Sequence, residues 1–278
     1  MLVTGATDGL GKAVARSLAA AGATVLLHGR DAARGHATLA ELQAETGNQA
    51  LAFYRADFAS LHEVRELAER IVAERDRLTV LVNNAGVGRG ASGDSRALSA
   101  DGYELRLAVN YLAPVLLTRM LVLLLCRSAP SRIVNVASSS QEPLGFGDPM
   151  LAHGYDGRRA YARSKLALVT FTFALADELR DTGVTVNCLH PATRMPTKMT
   201  REAAVEPGSS LEQGVEATLR LAVARELDGM TGGYYDGLRE AKAQPAAYDV
   251  QARERLQRLT HELLGPVTAT RSQIGSAR

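Results

Sequence analysis

Leu2-Val3-Thr4-Gly5-Ala6-Thr7-Asp8-Gly9-Leu10-Gly11 is the stretch that decides the fold. An apolar run enters a glycine turn and the helical pattern of residues 12–21 follows at once, so the segment reads as strand, turn, helix. Backbone N–H groups from Gly5, Asp8, Gly9, Leu10 and Gly11, with the helix N-terminus, can face a pyrophosphate, and glycine lets the ligand approach. The spacing is G-x-x-x-G-x-G rather than G-x-G-x-x-G, and no Gly-Lys-Ser/Thr follows, so a P-loop is not expected.

Outward from this turn the chain keeps alternating. Strands are expected at residues 25–29, 50–56, 80–82, 132–136 and 184–189, and helices at 34–46, 61–75, 101–126, 159–180, 211–225 and 249–264. That rhythm predicts one α/β domain over residues 1–265, a doubly wound Rossmann-type fold whose mostly parallel sheet carries helices on both faces. Residues 141–158, rich in Pro and Gly, and 191–210, with Pro196 and Pro207, break the rhythm and are expected as loops that shape a substrate pocket. The first strand is expected to be very short, and residues 266–278 to be a disordered tail.

Lys plus Arg number 32 against 30 Asp plus Glu, a formal net charge of +2 with the signs interspersed, so no nucleic-acid or membrane partner is implied. Cys126 and Cys188 stand far apart without metal-ligand spacing, so neither a disulfide framework nor a metal site is expected, and a reduced, cytoplasmic setting fits. The N-terminus does not read as a signal peptide. The most apolar window, residues 115–125, falls short of the roughly 20 residues of a membrane span and reads as a buried helix.

Tyr161-Ala-Arg-Ser-Lys165 places a phenol and an amine on one helix face. A nearby ammonium favours the phenolate, which would bring a group of reference pKa about 10 closer to neutrality as a general acid, provided that a bound cofactor adds a second positive charge. At the end of the second strand, Arg30 can bind a ribose 2′-phosphate and the adjacent Asp31 a free 2′-hydroxyl; Arg30 favours NADP over NAD.

Taken in order, Thr4-Gly5-x-x-x-Gly9-x-Gly11, Asp57, Asn83-Asn84-Ala85-Gly86, Asn110, Ser138 and Tyr161-x-x-x-Lys165 resemble the short-chain dehydrogenase/reductases in their single-domain form. The resemblance covers residues 2–237, and the long loop before the tyrosine looks like that of retinol-dehydrogenase-like members and bacterial relatives. It implies that Asp57 holds the adenine amino group, that Asn84 contacts the adenine ribose side, and that Asn83 more often braces the sheet. It also implies that Lys165 tunes Tyr161 and holds the nicotinamide ribose, and that Asn110 holds a water in a proton relay.

By family register Ser138, rather than Ser139 or Ser140, steadies the substrate oxygen. Tyr155 is a rival to Tyr161 but has Arg159 where a lysine is required. Thr193 is expected against the nicotinamide carboxamide, with Thr197 the alternative, because Pro191-Ala192 replaces the usual Pro-Gly and alanine restricts φ. The expected activity is metal-free, NADP-dependent hydride transfer between nicotinamide and a carbonyl or secondary alcohol. An NADP-binding regulatory protein, or a sugar-nucleotide epimerase or dehydratase, are the alternatives. Leu144, Phe146, Met150, Met195 and Met199 hint at an apolar ligand. Apolar Leu116, Leu117, Met120, Leu124, Leu168, Phe171, Phe173 and Leu175 offer more area than one sheet face covers, so a homodimer or homotetramer is expected.

Overall fold

The computed structural model describes residues 1–90 and 95–265; the expected tail lies outside the described residues. Among these, eight strands form one sheet in the order β3-β2-β1-β4-β5-β6-β7-β8, parallel except for the last pair. The strands are β1 Leu2–Val3, β2 Val25–Gly29, β3 Leu51–Arg55, β4 Val80–Asn83, β5 Ser131–Val136, β6 Val184–His190, β7 Tyr234–Asp236 and β8 Arg239–Ala241. The helices are α1 Gly9–Ala20, α2 Ala32–Thr46, α3 Leu61–Glu74, α4 Leu105–Leu107, α5 Ala113–Arg127, α6 Gly157–Glu178, α7 Lys198–Glu202, α8 Leu211–Val223 and α9 Val250–Leu264.

Successive strand residues point to opposite faces, and both faces here are apolar, as a sheet covered on both sides requires. Leu2, Leu26, Leu81, Ile133 and Val186 enter one core with α3, α5 and α6, while Val3, Leu27, Val82, Val134 and Leu189 enter the other with α1 and α8. The two-residue β1 is held on both sides, Leu2 opposite Leu26 and Leu81. Ladders of buried side chains tie the middle of the sheet to its helices. Asn83 donates from Nδ2 to Asn135 Oδ1 (2.8 Å) and Thr118 Oγ1 (2.9 Å), and Asn135 Nδ2 donates to Thr172 Oγ1 (2.8 Å). Asn83 is therefore a brace within the sheet.

Close approach of α2 to β3 depends on Gly35, since a Cβ there would overlap the ring of Phe53. Alanine normally gains about 1 kcal/mol over glycine in a helix, whereas forced overpacking costs about 1–3 kcal/mol. Gly35→Ala is therefore expected to lower the urea midpoint rather than raise it.

Residues 115–125 lie within α5, which is buried against α3 and α6 as a core helix. Of the apolar residues named for pairing, Leu116, Leu117, Leu124, Leu168, Phe171, Phe173 and Leu175 are buried within the chain, while Met120 is only partly buried. The cover is α9, which crosses α5 and α6. Tyr103 Oη donates to Leu263 O (2.8 Å), Arg65 to Leu264 O (2.7 Å), Tyr111 shares a hydrogen bond with Thr260 (2.5 Å), and Arg253 pairs with Asp177 (3.2 Å). Part of the face on which twofold pairing was expected is thus covered by α9.

Candidate active site

The carboxyl ends of the strands open onto a crevice beside β1 and β4, where the strand order reverses and where ligands of open α/β sheets bind. Gly5 follows β1 with φ +64°, and a Cβ on it would stand 2.9 Å from Ala85 Cα. A Cβ on Gly11 would overlap Gly5 O, so neither position tolerates a side chain without a shift. Asp8 is exposed and caps α1, accepting from Gly9 N–H at 2.7 Å. Asn84 Nδ2 donates to Thr4 O (2.8 Å) and Gly5 O (3.3 Å), so its amide also holds the glycine turn.

The two candidates after β2 differ in what they bond. Asp31 is the N-cap of α2 and its carboxylate accepts from Arg34 N–H at 2.9 Å, while the neighbouring Arg30 is exposed at the strand end. Asp57 follows β3, partly buried, and accepts from Ala59 N–H at 2.9 Å, which fixes its carboxylate at the crevice edge.

On the other half of the crevice, Ser138 leaves β5 and faces Tyr161 on α6. Ser138 Oγ accepts from Ser140 N–H (3.1 Å), and its hydroxyl stands close enough to Tyr161 to favour the phenolate. The serine backbone is clamped as well: Ser138 O accepts from Gln141 Nε2 (2.8 Å) and Tyr234 Oη (3.2 Å). Ser139 and Ser140 are exposed and bear no such clamp. Lys165 Nζ lies 5.9 Å from the centre of the Tyr161 ring and donates to Val136 O at 2.8 Å.

Electrostatics differ from the expectation of a depressed phenol. Burial pushes Tyr161 above its ordinary value of 10, and the Ser138 hydrogen bond and the Arg89 charge counter it only in part. Tyr161 keeps some exposed surface, but the burial around its hydroxyl outweighs both. Lys165 is itself buried, and desolvation lowers it to about 8. An ammonium held this weakly and turned to a carbonyl gives the phenol little help, so the depression must come from charge added to the crevice. Arg89, in the loop after β4, is a contributor the sequence did not single out.

Asn110 lies in a π turn, Ala108–Leu112, that joins α4 to α5; such turns are frequent at functional sites. Its Nδ2 donates to Val87 O (3.0 Å) and Ser164 Oγ (3.0 Å), and its Oδ1 accepts from Val87 N–H (2.8 Å). This pins the loop after β4 to α6. A Cβ on Gly86 would lie 3.1 Å from Asn110 Oδ1 and 3.7 Å from Lys165 Nζ, so the missing side chain leaves a gap between them.

Tyr155 is removed from the chemistry. Its hydroxyl donates to Glu104 Oε1 (3.0 Å) and takes a hydrogen bond from Arg106, whose Nε donates to Gly88 O (2.8 Å); burial pushes the phenol up to about 12. The group docks the end of the 141–158 segment onto α4. In the lid, Thr193 Oγ1 bonds His190 Nε2 (3.0 Å), whereas Thr197 Cγ2 would be 3.2 Å from a Cβ on Gly9. Of the two threonines, Thr197 lies over the glycine turn. Ala192 imposes no backbone strain, because the positive φ values of this segment fall at Arg194 (51°) and Ala204 (49°).

Of the residues that hinted at an apolar ligand, Met150 packs partly buried against the core. Leu144 and Phe146 lie in a crevice with Ala252 and Leu256 of α9, and Met195 and Met199 fit over Gly214 and Gly88. No cluster of His, Cys, Asp or Glu suited to a metal occurs among the described residues.

The residues present fit a dinucleotide. Gly5, Gly9 and Gly11 leave the turn open for close approach, Arg30 stands exposed at the end of β2, and Lys165 keeps ammonium protons beyond its bond to Val136 O beside the gap at Gly86. A family model described as short chain dehydrogenase matches residues 1–207. The chain belongs to the short-chain dehydrogenase family, a family of enzymes with NAD(P)-dependent oxidoreductase chemistry. It is 36% identical to retinol dehydrogenase 13 of Mus musculus, over 95% of this chain and 83% of that relative. Among solved structures, an uncharacterized protein from Mycobacterium paratuberculosis superposes with a TM-score of 0.76 at 26% identity, over 95% of this chain and 92% of that one. The Pseudomonas aeruginosa RhlG/NADP active-site complex gives 0.69 at 30% identity, over 84% and 93%.

Proposed function

We propose that the chain is an NADP-dependent oxidoreductase acting on the carbonyl or secondary alcohol of a fairly apolar small molecule, with Tyr161 exchanging the proton. The observation that carries this reading is the Tyr161 phenol set beside Ser138, with the Lys165 ammonium one helical turn away and 5.9 Å from the centre of the ring. When bound, the cofactor supplies the hydride in reduction and, oxidised, a positive ring beside the phenol.

Ser138 Oγ already accepts from Ser140 N–H, which leaves its proton to donate to the substrate oxygen. Tyr161 gives its phenolic proton to that oxygen as charge develops there, and takes one back in oxidation. Lys165 binds ribose hydroxyls with its remaining protons and, while charged, stabilises the phenolate. Asn110 Oδ1 keeps one lone pair on the side of the Gly86 gap and holds the water that returns a proton to Lys165. Thr197 takes the carboxamide role left open between two threonines.

The similarity to a retinol dehydrogenase supports an extended apolar alcohol or aldehyde as substrate. Two buried free thiols, Cys126 and Cys188, suit a reducing compartment. Following reduced-nicotinamide absorbance against a panel of aldehydes and ketones, retinal among them, tests the reading; absence of turnover with any of them would contradict it.

The preference for NADP rests on Arg30. A charge-assisted hydrogen bond contributes about 1.5–3 kcal/mol, so Arg30→Ala is expected to weaken NADPH binding by about 10- to 100-fold and NADH binding hardly at all. Fluorescence titration with both cofactors checks it, and an equal loss for the two would remove Arg30 from the 2′-phosphate.

A further inference from the structure

One buried histidine has no place in the chemistry described so far. His28 lies in the fourth position of β2, 2% exposed, with both ring nitrogens engaged by main chain. Gly5 N–H donates to Nδ1 (3.2 Å), and Nε2 meets Ala56 O (3.0 Å). A carbonyl can only accept and an amide N–H can only donate, so this pair of partners requires hydrogen on Nε2 and none on Nδ1. Phe58 stacks on the ring, with centroids 4.3 Å apart and planes at 24°, and fixes its orientation. Burial holds the imidazole at about 4, against weaker opposing effects of Ala56 O and Asp57, so the neutral ring that this geometry needs is the one present at neutral pH.

We propose that His28 is a positioning residue for the cofactor phosphates: it anchors Gly5 from the side of β2 and thereby sets the glycine turn. Gly5 is then gripped at both ends, its N–H by His28 and its C=O by Asn84 Nδ2 at 3.3 Å, while φ +64° aims the chain toward α1. With the N–H released, the turn would be free to rotate about a residue that has no side chain to limit it. The contact of His28 with Ala56 links the same ring to the end of β3, next to Asp57 at the adenine end. One imidazole therefore sets the spacing between the phosphate turn and the adenine edge. This inference rests on the reading of the turn as an NADP site.

Asparagine and glutamine separate positioning from packing. In His28→Asn the new side-chain Oδ1 would stand where the imidazole Nδ1 does and keep the bond to Gly5, whereas the longer side chain of His28→Gln places its amide nitrogen toward Ala56 O. For His28→Asn, the NADPH dissociation constant from fluorescence titration is expected to stay within about 3-fold of the parent, and for His28→Gln to rise by about 10-fold, as loss of one well-made hydrogen bond implies. Melting temperatures are expected to fall by similar amounts in both. Affinity that tracks melting temperature, or the glutamine variant binding as well as the asparagine one, would overturn the proposal. Nitrogen NMR of the parent gives a check that needs no variant: hydrogen on Nε2 alone is expected, and hydrogen on Nδ1 would overturn it. A parent protein that binds no NADPH would instead sink the cofactor reading, which keeps the two failures distinct.

Discussion

Tyr161→Phe is expected to lower kcat for carbonyl reduction by about 10²- to 10⁴-fold, the range that a positioned general acid contributes, while NADPH affinity stays within about 2-fold. The phenyl ring keeps the packing on α6 and removes only the proton donor. Ser138 would then face the substrate oxygen without its partner, so the loss falls on kcat and not on cofactor binding. The pH dependence has a definite sign. Because burial raises the phenol above its ordinary value, the protein keeps Tyr161 protonated through neutral pH. Reduction needs the protonated form and is favoured below the phenol's pKa; alcohol oxidation needs the phenolate and is expected to rise with pH. A Tyr161→Phe protein with parental kcat, or an oxidation rate that falls as pH climbs, would contradict this.

Lys165→Met is expected to have the second largest effect, about 100-fold or more in kcat/KM for NADPH, because it removes both charge-assisted bonds to the ribose and the cation beside the phenol. Desolvation sets Lys165 at about 8, so in the free protein the ammonium is present below that pH and lost above it. NADPH affinity should therefore weaken as pH rises through about 8, and the Lys165→Met variant should lose that limb. Isothermal titration over a pH series reads both. A methionine variant that keeps the same pH limb would place the titrating group elsewhere.

Much of this was legible in the sequence because it is local. Apolar strands and helical periodicity mark their own positions, so β2 and the start of α3 fall where the pattern puts them, while α2 starts two residues before the expected 34. β7, β8 and α7 were not foreseen: strands of three residues and a five-residue helix are too short for periodicity to register. The Tyr161 and Lys165 pair was readable from helical spacing alone, and Ser138 from its place after β5. What the sequence could not supply were contacts made across the fold. Tyr155 and Tyr161 differ in sequence only by the residue four positions on, and the hold of the buried Glu104 and Arg106 on Tyr155 appears only in the fold. Asn84 and Thr193 turn to protein partners that no spacing reveals, and His28 reads as one more strand residue until Gly5 and Ala56 appear on either side of its ring. The 249–264 helix was legible, but not that it packs over α5 and α6, since a contact between distant helices leaves no mark in local spacing.

The most direct test of the central claim is isotopic. The purified protein would be given NADPH deuterated at the transferable position of nicotinamide C4 together with a carbonyl compound it reduces, and the alcohol analysed by mass spectrometry. One deuterium on the former carbonyl carbon is expected, with Tyr161→Phe forming little product from the same bound cofactor. An alcohol free of deuterium, or NADPH that binds tightly yet is consumed with no carbonyl offered, would contradict it.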